Sequence, residues 1–594
     1  MKVALRMPAM RIPPPGRDAD MGPVVVLGAG INGAAVAREL ALSGVPVAVV
    51  DPADIACGAT AWSTRLIHGG LRYLEYGEFG LVRESLAERD RLVRLAPHLV
   101  EPLPFYVPVR GRLGGLRSAA ARLLGWEGLA RRWAGGHGRG SIAVGIGLSL
   151  YDLLATGSRW PRHRMVRAGG DGLPAVDRET FPFAGVYSDA QLLFPERFTV
   201  ELLVDARRIA TETGAAFDLF THRQAAVLPG NILRITPRGQ AAMGAGDAGD
   251  VVELRPAAIV NATGAWVDRT LADVFAAAGL AHDGPRLIGG TKGSHLILRS
   301  PRLRSAVGGY GVYAEADDGR PVFVLPFGGE LVLVGTTDIP FSGDPAAARA
   351  DEDEIAYLLS AAARIFPGTA PGRDDVQQHY CGVRPLPAVD RAAGSPAGVT
   401  RRHMLVRHPH APLPVWSIVG GKLTTCRSLA ETAAARILEA LELPVLGSSR
   451  ERSLPGACAS GDRQTVVRDA REAARSAGFA PDEAERAAER TVALFGTRAS
   501  GVFAAAGAGL IRGTALPLSA VAFCVREEWA VTLEDLVERR LMLSFERGLS
   551  LAAIEDVARE LARLGKMPGD RVADEARACG RRLEERYGKS VPAM

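Results

Sequence analysis

The chain has 594 residues, 47% hydrophobic and 23% charged, enough for two or three domains with sizeable cores and too apolar for a disordered protein. Its formal charge of +5 is small for this length and gives no argument for nucleic acid as a partner. No run of about eighteen apolar residues is present to span a bilayer. The six cysteines (Cys57, Cys381, Cys426, Cys458, Cys524 and Cys579) are scattered without a Cys-x-x-Cys pair. That argues for free thiols in a reducing, cytoplasmic compartment, and against a disulfide framework or a metal site.

Residues 1–22 read as a loose tail: Pro13-Pro14-Pro15 and mixed charges replace the apolar core of a signal peptide, and Met21 is an alternative start. A βαβ unit follows. Pro23–Leu27 is a β-branched run, Gly28–Gly33 a glycine turn, Ala34–Ser43 a helix and Val45–Val50 a second strand. Gly28 allows the tight turn, Gly30 lets backbone approach a pyrophosphate, and Gly33 allows close helix–strand packing. The helix N-terminus at Ile31 and Asn32 offers N–H groups to phosphates. Asp51, ending the second strand, is placed to accept from ribose hydroxyls.

Next comes Ser63–Tyr73, Ser-Thr-Arg-Leu-Ile-His-Gly-Gly-Leu-Arg-Tyr, which sets His68 and Arg72 four residues apart beside Gly69 and Gly70. A nucleotide cradle followed at once by a base and an anion binder suggests redox chemistry on an acidic small molecule. In Leu116–Trp133 apolar residues recur at helical spacing, and Arg110–Arg139 holds seven arginines against one acid, Glu127. This reads either as an interfacial membrane contact or as a surface helix with a solvated basic face.

Ala258–Asn261 is a strand leading into Ala262-Thr263-Gly264-Ala265-Trp266. Val322–Leu325 and Leu331–Val334 read as an antiparallel pair before Gly335-Thr336-Thr337-Asp338. Val415–Val419, Gly420-Gly421-Lys422 and a helix to about Leu441 form another strand–turn–helix. From Val445 the composition turns to Ala/Arg/Glu-rich helix behind the linker Gly447-Ser448-Ser449. Trp529–Leu543 is amphipathic there, without a chemical motif, which suggests a structural or oligomerisation domain and leaves a homodimer open. Of 71 basic residues only five are lysines. Lys292 in Thr-Lys-Gly-Ser-His and Lys422 in Gly-Gly-Lys-Leu-Thr-Thr therefore stand out, as sites where a compact ammonium is needed.

Several strings occur in the order found in one known family: Gly28–Gly33, Ser63–Tyr73, Asn261–Gly264, Lys292–His295, Gly335–Asp338, Gly382–Leu386 and Gly420–Thr425. Over about Val24–Arg427 the chain resembles the FAD-dependent (aerobic, respiratory-type) glycerol-3-phosphate dehydrogenases of the D-amino-acid-oxidase-like superfamily. It departs from them where Tyr187-Ser-Asp189 leads to Phe194-Pro-Glu-Arg197, and where Cys426 replaces the usual aromatic residue. The resemblance implies an α/β fold in three parts. These are a discontinuous Rossmann-like FAD-binding domain over 23–444, an interleaved α+β substrate domain (about 99–160 and 285–375), and an all-α C-terminal domain over 445–594.

It also implies FAD as cofactor and oxidation of sn-glycerol 3-phosphate to dihydroxyacetone phosphate by hydride transfer to flavin N5. A quinone acceptor and a peripheral position on the inner face of the cell membrane belong to the same implication. The Gly420–Thr425 turn and the lack of an independent substrate domain favour FAD over NAD. On this reading His68 is the base, with His295 in reserve. Arg72 and Arg384 bind the phosphate as guanidinium forks. Lys292 holds the phosphate or assists the hydroxyl, and Lys422 stabilises charge on the reduced flavin. Thr60, Ser63, Thr64, His68, Gly69, Gly264, Gly421, Lys422, Leu423 and Thr424 join Gly28, Gly30, Ile31, Asn32, Gly33 and Asp51 as cofactor residues. The alternatives are an oxidase or dehydrogenase of another polyol phosphate, an amine or amino-acid oxidase, and a flavin-binding scaffold without turnover. An amine oxidase needs a carboxylate clamp rather than several phosphate-binding cations.

Overall fold

The computed structural model describes residues 21–111, 140–155, 157, 160–238, 250–278, 284–388, 403–458, 462–504 and 509–593. The tail and the Leu116–Trp133 segment fall outside these residues, apart from the last two positions of the tail.

Val24–Leu27 is wholly buried and central in a six-stranded sheet. It pairs in parallel with Val47–Val50 on one side and Ala258–Asn261 on the other. Phe217–Phe220 and Val415–Val419 extend the parallel layer, and Met404–Arg407 closes it as an antiparallel edge. Strands buried on both faces read as continuous β-branched runs, which is why the sequence announces them. The helix Ile31–Leu42 covers one face with alanines, Val36 and Leu40. The other face packs on Val267–Ala276 and the small antiparallel sheet Arg223–Leu228, Ile232–Pro237 and Val252–Leu254.

A ten-stranded mixed sheet forms the second layer. Pro321–Phe327 and Leu331–Gly335 are the expected antiparallel pair. The sheet also takes Leu66–Ile67, Arg164–Arg167, Phe183–Leu192 and Val376–Arg384, so its strands come from a wider span than 99–160 and 285–375. Chain therefore crosses repeatedly between the two sheets, and the cavity described below lies where the crossings meet.

The C-terminal part is helical, with Arg463–Ser476, Pro481–Phe495, Ser519–Glu527, Leu551–Arg563 and Val572–Tyr587. Two expectations about it need correction. Gly447–Ser449 is no free linker: Ser449 is fully buried and its hydroxyl bonds the Glu39 carboxylate on the first helix. Nor is Trp529–Leu543 a simple amphipathic helix. Asp535–Arg540 is a buried π-helical turn that clamps this part to the nucleotide domain. Arg540 donates to both oxygens of Asp54 at 2.8 and 2.7 Å, and Arg539 to Asp54 at 2.6 Å. Arg197 and Arg498 converge on Glu528 at 2.8 and 2.7 Å. Asp54, His222 and Asp535 have ligand atoms within 4.8 Å of one another. The arginines occupy those carboxylates, so the cluster reads as an ion-pair network.

Candidate active site

A cavity of about 960 Å³ opens between the sheets, at the upper end of the range for small-molecule sites. One part of its wall is the glycine turn. Gly28 has φ +102°, and a Cβ there would lie 2.9 Å from the Ala262 carbonyl oxygen. Gly33 stands behind the wall; a Cβ on it would lie 1.9 Å from the Gly28 oxygen. These contacts are backbone to backbone, so the turn requires glycine at both positions. Gly30, Ile31 and Asn32 line the cavity. The Ile31 amide donates to Thr60 Oγ1 at 3.1 Å, so this N–H is satisfied within the chain and Thr60 braces the turn. Asn32 Nδ2 donates to the Gly420 oxygen at 3.3 Å, joining the first strand–turn–helix to the second. This groove, with helix N-terminus, glycine backbone and buried acid, fits a dinucleotide.

Asp51 is that acid. Its oxygens accept from the Ala29 and Ala53 amides, both at 2.8 Å, with lone pairs left for a ligand. Burial pushes its pKa up to about 6, against the pull of those amides. A carboxyl raised above its unfolded value destabilises the fold on ionising, between about pH 4 and pH 6. Hydrogen bonds donated by ribose hydroxyls favour the ionised form. FAD affinity of the apoprotein is therefore expected to rise between about pH 5 and pH 7, and to be flat over that window in Asp51→Asn. Titration of apoprotein with FAD at several pH values checks this; identical slopes in the two proteins would refute it.

A second group lines the same cavity: His68, Tyr73, His295, Arg384 and Lys422. The His68 amide donates to Thr424 Oγ1 at 3.1 Å, so the Gly420–Thr425 turn pins the backbone of the Ile67–Tyr73 string. The next amide, Gly69, donates to Tyr151 Oη at 3.0 Å and Asp189 Oδ1 at 3.2 Å. Asp189 is buried and is matched by Tyr151 at 2.7 Å and Arg89 at 3.1 Å. Gly69 thus acts behind the wall. His295 is 2% exposed, bonds Thr64 Oγ1 through Nε2 at 2.9 Å, and stacks on Tyr380 with centroids 4.9 Å apart. Burial first, then Arg384 and Arg65, hold its pKa well below the usual value, so this imidazole is neutral. Ser63 accepts from Tyr380 through its carbonyl at 2.9 Å and lines the wall with Thr60 and Thr64, as do Gly264, Gly421, Leu423 and Thr424 elsewhere.

Two cations, Lys292 and Arg72, differ from expectation. Lys292 does not line the cavity. Its Nζ donates to Glu354 at 2.7 Å and Asp351 at 2.9 Å, and Ser294 reaches the same Glu354 at 2.9 Å. Residues 292 and 294 point to one face of the strand Thr291–Leu298, whereas Gly293 and His295 point to the cavity. Arg72 lies in the turn Leu71–Tyr76 outside the lining residues, while its neighbour Tyr73 is within them. Lys422 precedes its helix, which begins only at Cys426, and its Nζ sits 3.7 Å above the Tyr73 ring. Arg384 does line the cavity, held by Asp338 at 3.0 Å and by Thr336 Oγ1 and the Thr337 oxygen, both at 2.9 Å.

The sequence reading missed several lining residues. Tyr73 lay in the quoted string, and its aromatic ring beside a glycine pair was the available signal. Arg582 and Arg586 come from the last helix, Val572–Tyr587, and Arg586 stacks 4.4 Å over Trp62. Among 66 arginines nothing distinguished them.

A protein-family model described as FAD dependent oxidoreductase matches residues 23–427. The glycerol-3-phosphate dehydrogenase of Synechocystis sp. is 32% identical over 88% of this chain and 88% of its own length. The D-erythritol 1-phosphate dehydrogenase of Brucella abortus is also 32% identical, over 87% and 93%. The aerobic glycerol-3-phosphate dehydrogenase of Escherichia coli is 32% identical over 74% and 78%. Among solved structures, the glycerol-3-phosphate dehydrogenase of Bacillus halodurans complexed with FAD matches in fold with a TM-score of 0.66, at 20% identity over 97% of this chain and 96% of that one.

Proposed function

The chain belongs to the FAD-dependent oxidoreductase family, with FAD as its cofactor, and within that family we propose that it oxidises sn-glycerol 3-phosphate to dihydroxyacetone phosphate. The observation that carries this reading is the single cavity joining the dinucleotide groove to His68, Arg384 and Lys422. The names of relatives about 30% identical over most of the chain support it. FAD, when bound, supplies the hydride acceptor.

The chain's own groups do the rest. His68 takes the hydroxyl proton, held in place by the Thr424 contact to its own amide and the Asp189 contact to the next one, Gly69. His295, kept neutral, offers a hydrogen bond rather than a second positive charge. Lys422, close to the Tyr73 ring, supplies fixed positive charge where negative charge develops. Arg384 presents its guanidinium to the phosphate. Arg384→Ala is expected to raise KM for glycerol 3-phosphate about 10- to 100-fold, the worth of a hydrogen bond to a charged group. Steady-state kinetics with an artificial acceptor checks it, and an unchanged KM removes Arg384 from the site.

Electrons then pass to a quinone, from a protein held peripherally on the inner face of the membrane. No helix among the described residues is long and apolar enough to cross a membrane. A second reading, oxidation of another polyol phosphate, has the support of the erythritol 1-phosphate relative at the same identity. Comparing kcat/KM for the two phosphate esters decides between them: a clear preference for erythritol 1-phosphate would replace the first reading.

A further inference from the structure

The last helix, Val572–Tyr587, belongs to the C-terminal helical part, yet Arg582 and Arg586 both reach the cavity from it. They are four residues apart and so share one helix face. Glu538, on the buried turn Asp535–Arg540, fixes the seat of this helix. Its carboxylate accepts from Arg582 Nε at 2.8 Å, Tyr587 Oη at 2.7 Å and Arg539 at 3.1 Å, so both of its oxygens are engaged. Arg582 is thereby neutralised. Arg586 has no carboxylate partner among the described residues; its guanidinium carbon lies 4.4 Å from the centre of the Trp62 ring.

Trp62 is a stiff platform. It is 8% exposed and closes on the backbone of Gly382, where a Cβ would lie 2.7 Å from Trp62 Cβ. A guanidinium stacked on such a ring is positioned before any anion arrives. Positive charge is in excess here: after burial, Arg586 and Arg582 are what hold the Arg349 pKa below its usual value.

The glycine turn decides which anion this charge meets. Cys57 and Trp62 bracket Thr60, whose Oγ1 accepts from the Ile31 amide, and the Ala56 amide donates to the Ala29 oxygen at 3.1 Å. The loop that carries the Arg586 platform is thus stitched to the turn. Burial pushes the Cys57 thiol up and Arg586 is among the charges opposing it, which puts that charge beside the same loop. A glycine turn with its helix N-terminus receives a diphosphate but brings only partial charge to it. We infer that Arg586 binds the diphosphate of FAD, so that the C-terminal helical part completes the cofactor site. The inference rests on FAD as cofactor and is independent of which phosphate ester is oxidised.

The test is titration of the apoprotein with FAD, followed by flavin fluorescence, in wild type, Arg586→Gln, Arg586→Lys and Arg581→Gln. Arg581 is exposed on the same helix and outside the cavity lining. Arg586→Gln is expected to raise the Kd for FAD about 10- to 100-fold, the worth of a hydrogen bond to a charged group. Arg586→Lys keeps the charge without the fork and should recover part of the loss. Arg581→Gln should match the wild type, and the unfolding temperature of the apoprotein should be the same in all four. At saturating FAD the KM for glycerol 3-phosphate should stay that of the wild type. An unchanged Kd in Arg586→Gln would overturn the inference, and a raised KM beside it would give Arg586 to the substrate phosphate instead. An equal loss in Arg581→Gln would assign the effect to net charge and overturn it too. A lowered apoprotein unfolding temperature in Arg586→Gln, with no recovery in Arg586→Lys, would reduce Arg586 to a packing role.

Discussion

Replacing His68 with Asn is expected to leave FAD bound and lower kcat about 100- to 10,000-fold, the contribution of a positioned general base. Two contacts single out His68 over His295. Its backbone is pinned from the cofactor turn by Thr424 at 3.1 Å, and the following amide is pinned by the buried Asp189. Its ring also lines the cavity while remaining part-exposed, so a proton it accepts has a route out. His295, by contrast, is sealed against Tyr380 and Thr64, with Arg384 opposing any added charge. Because the glycine turn, Asp51 and the Gly420–Thr425 turn are unchanged, the visible spectrum of the variant should stay that of a flavoprotein. Turnover within a few-fold of wild type would move the base elsewhere, with His295 the next to test.

Gly33→Val is expected to yield protein without FAD and without activity. The new Cβ would lie 1.9 Å from the Gly28 oxygen and 3.1 Å from its carbonyl carbon, and both are backbone atoms of the turn, not the yielding end of a flexible side chain. The helix must move off the strand, and the groove between them is lost. Gly30→Ala is the control. Its Cβ would meet only Thr60 Oγ1 within the chain, at 3.4 Å, so its unfolding temperature without added FAD should stay close to wild type. Absorbance of the purified proteins and their unfolding temperatures with and without added FAD settle the matter; a stoichiometric flavin in Gly33→Val would contradict the steric account.

The nucleotide unit was legible because steric need leaves its mark on residue type: β-branched strands buried on both faces, and glycine where backbone meets backbone. Pairing was not legible. Val24 aligns with Ala258, and Ile259 with Val415, across separations that no local pattern encodes. The structure gathers most of the expected site residues around one cavity and leaves Lys292 and Arg72 outside its lining. Lys292 and His295 share a motif, but the two-residue period of a strand sends them to opposite faces, and only His295 reaches the cavity. That period was available once the segment was read as a strand. Arg72 and Tyr73 differ in the same way within a tight turn, where no period helps. The contribution of the last helix could not be foreseen, because its arginines carry no pattern apart from the rest.

The anaerobic visible spectrum, recorded before and after adding sn-glycerol 3-phosphate with glycerol as control, tests the proposed function most directly. Bleaching of the flavin band by the phosphate ester and not by glycerol is the predicted result. A band that stays oxidised with the phosphate ester, in protein that holds FAD, would contradict glycerol 3-phosphate as the substrate.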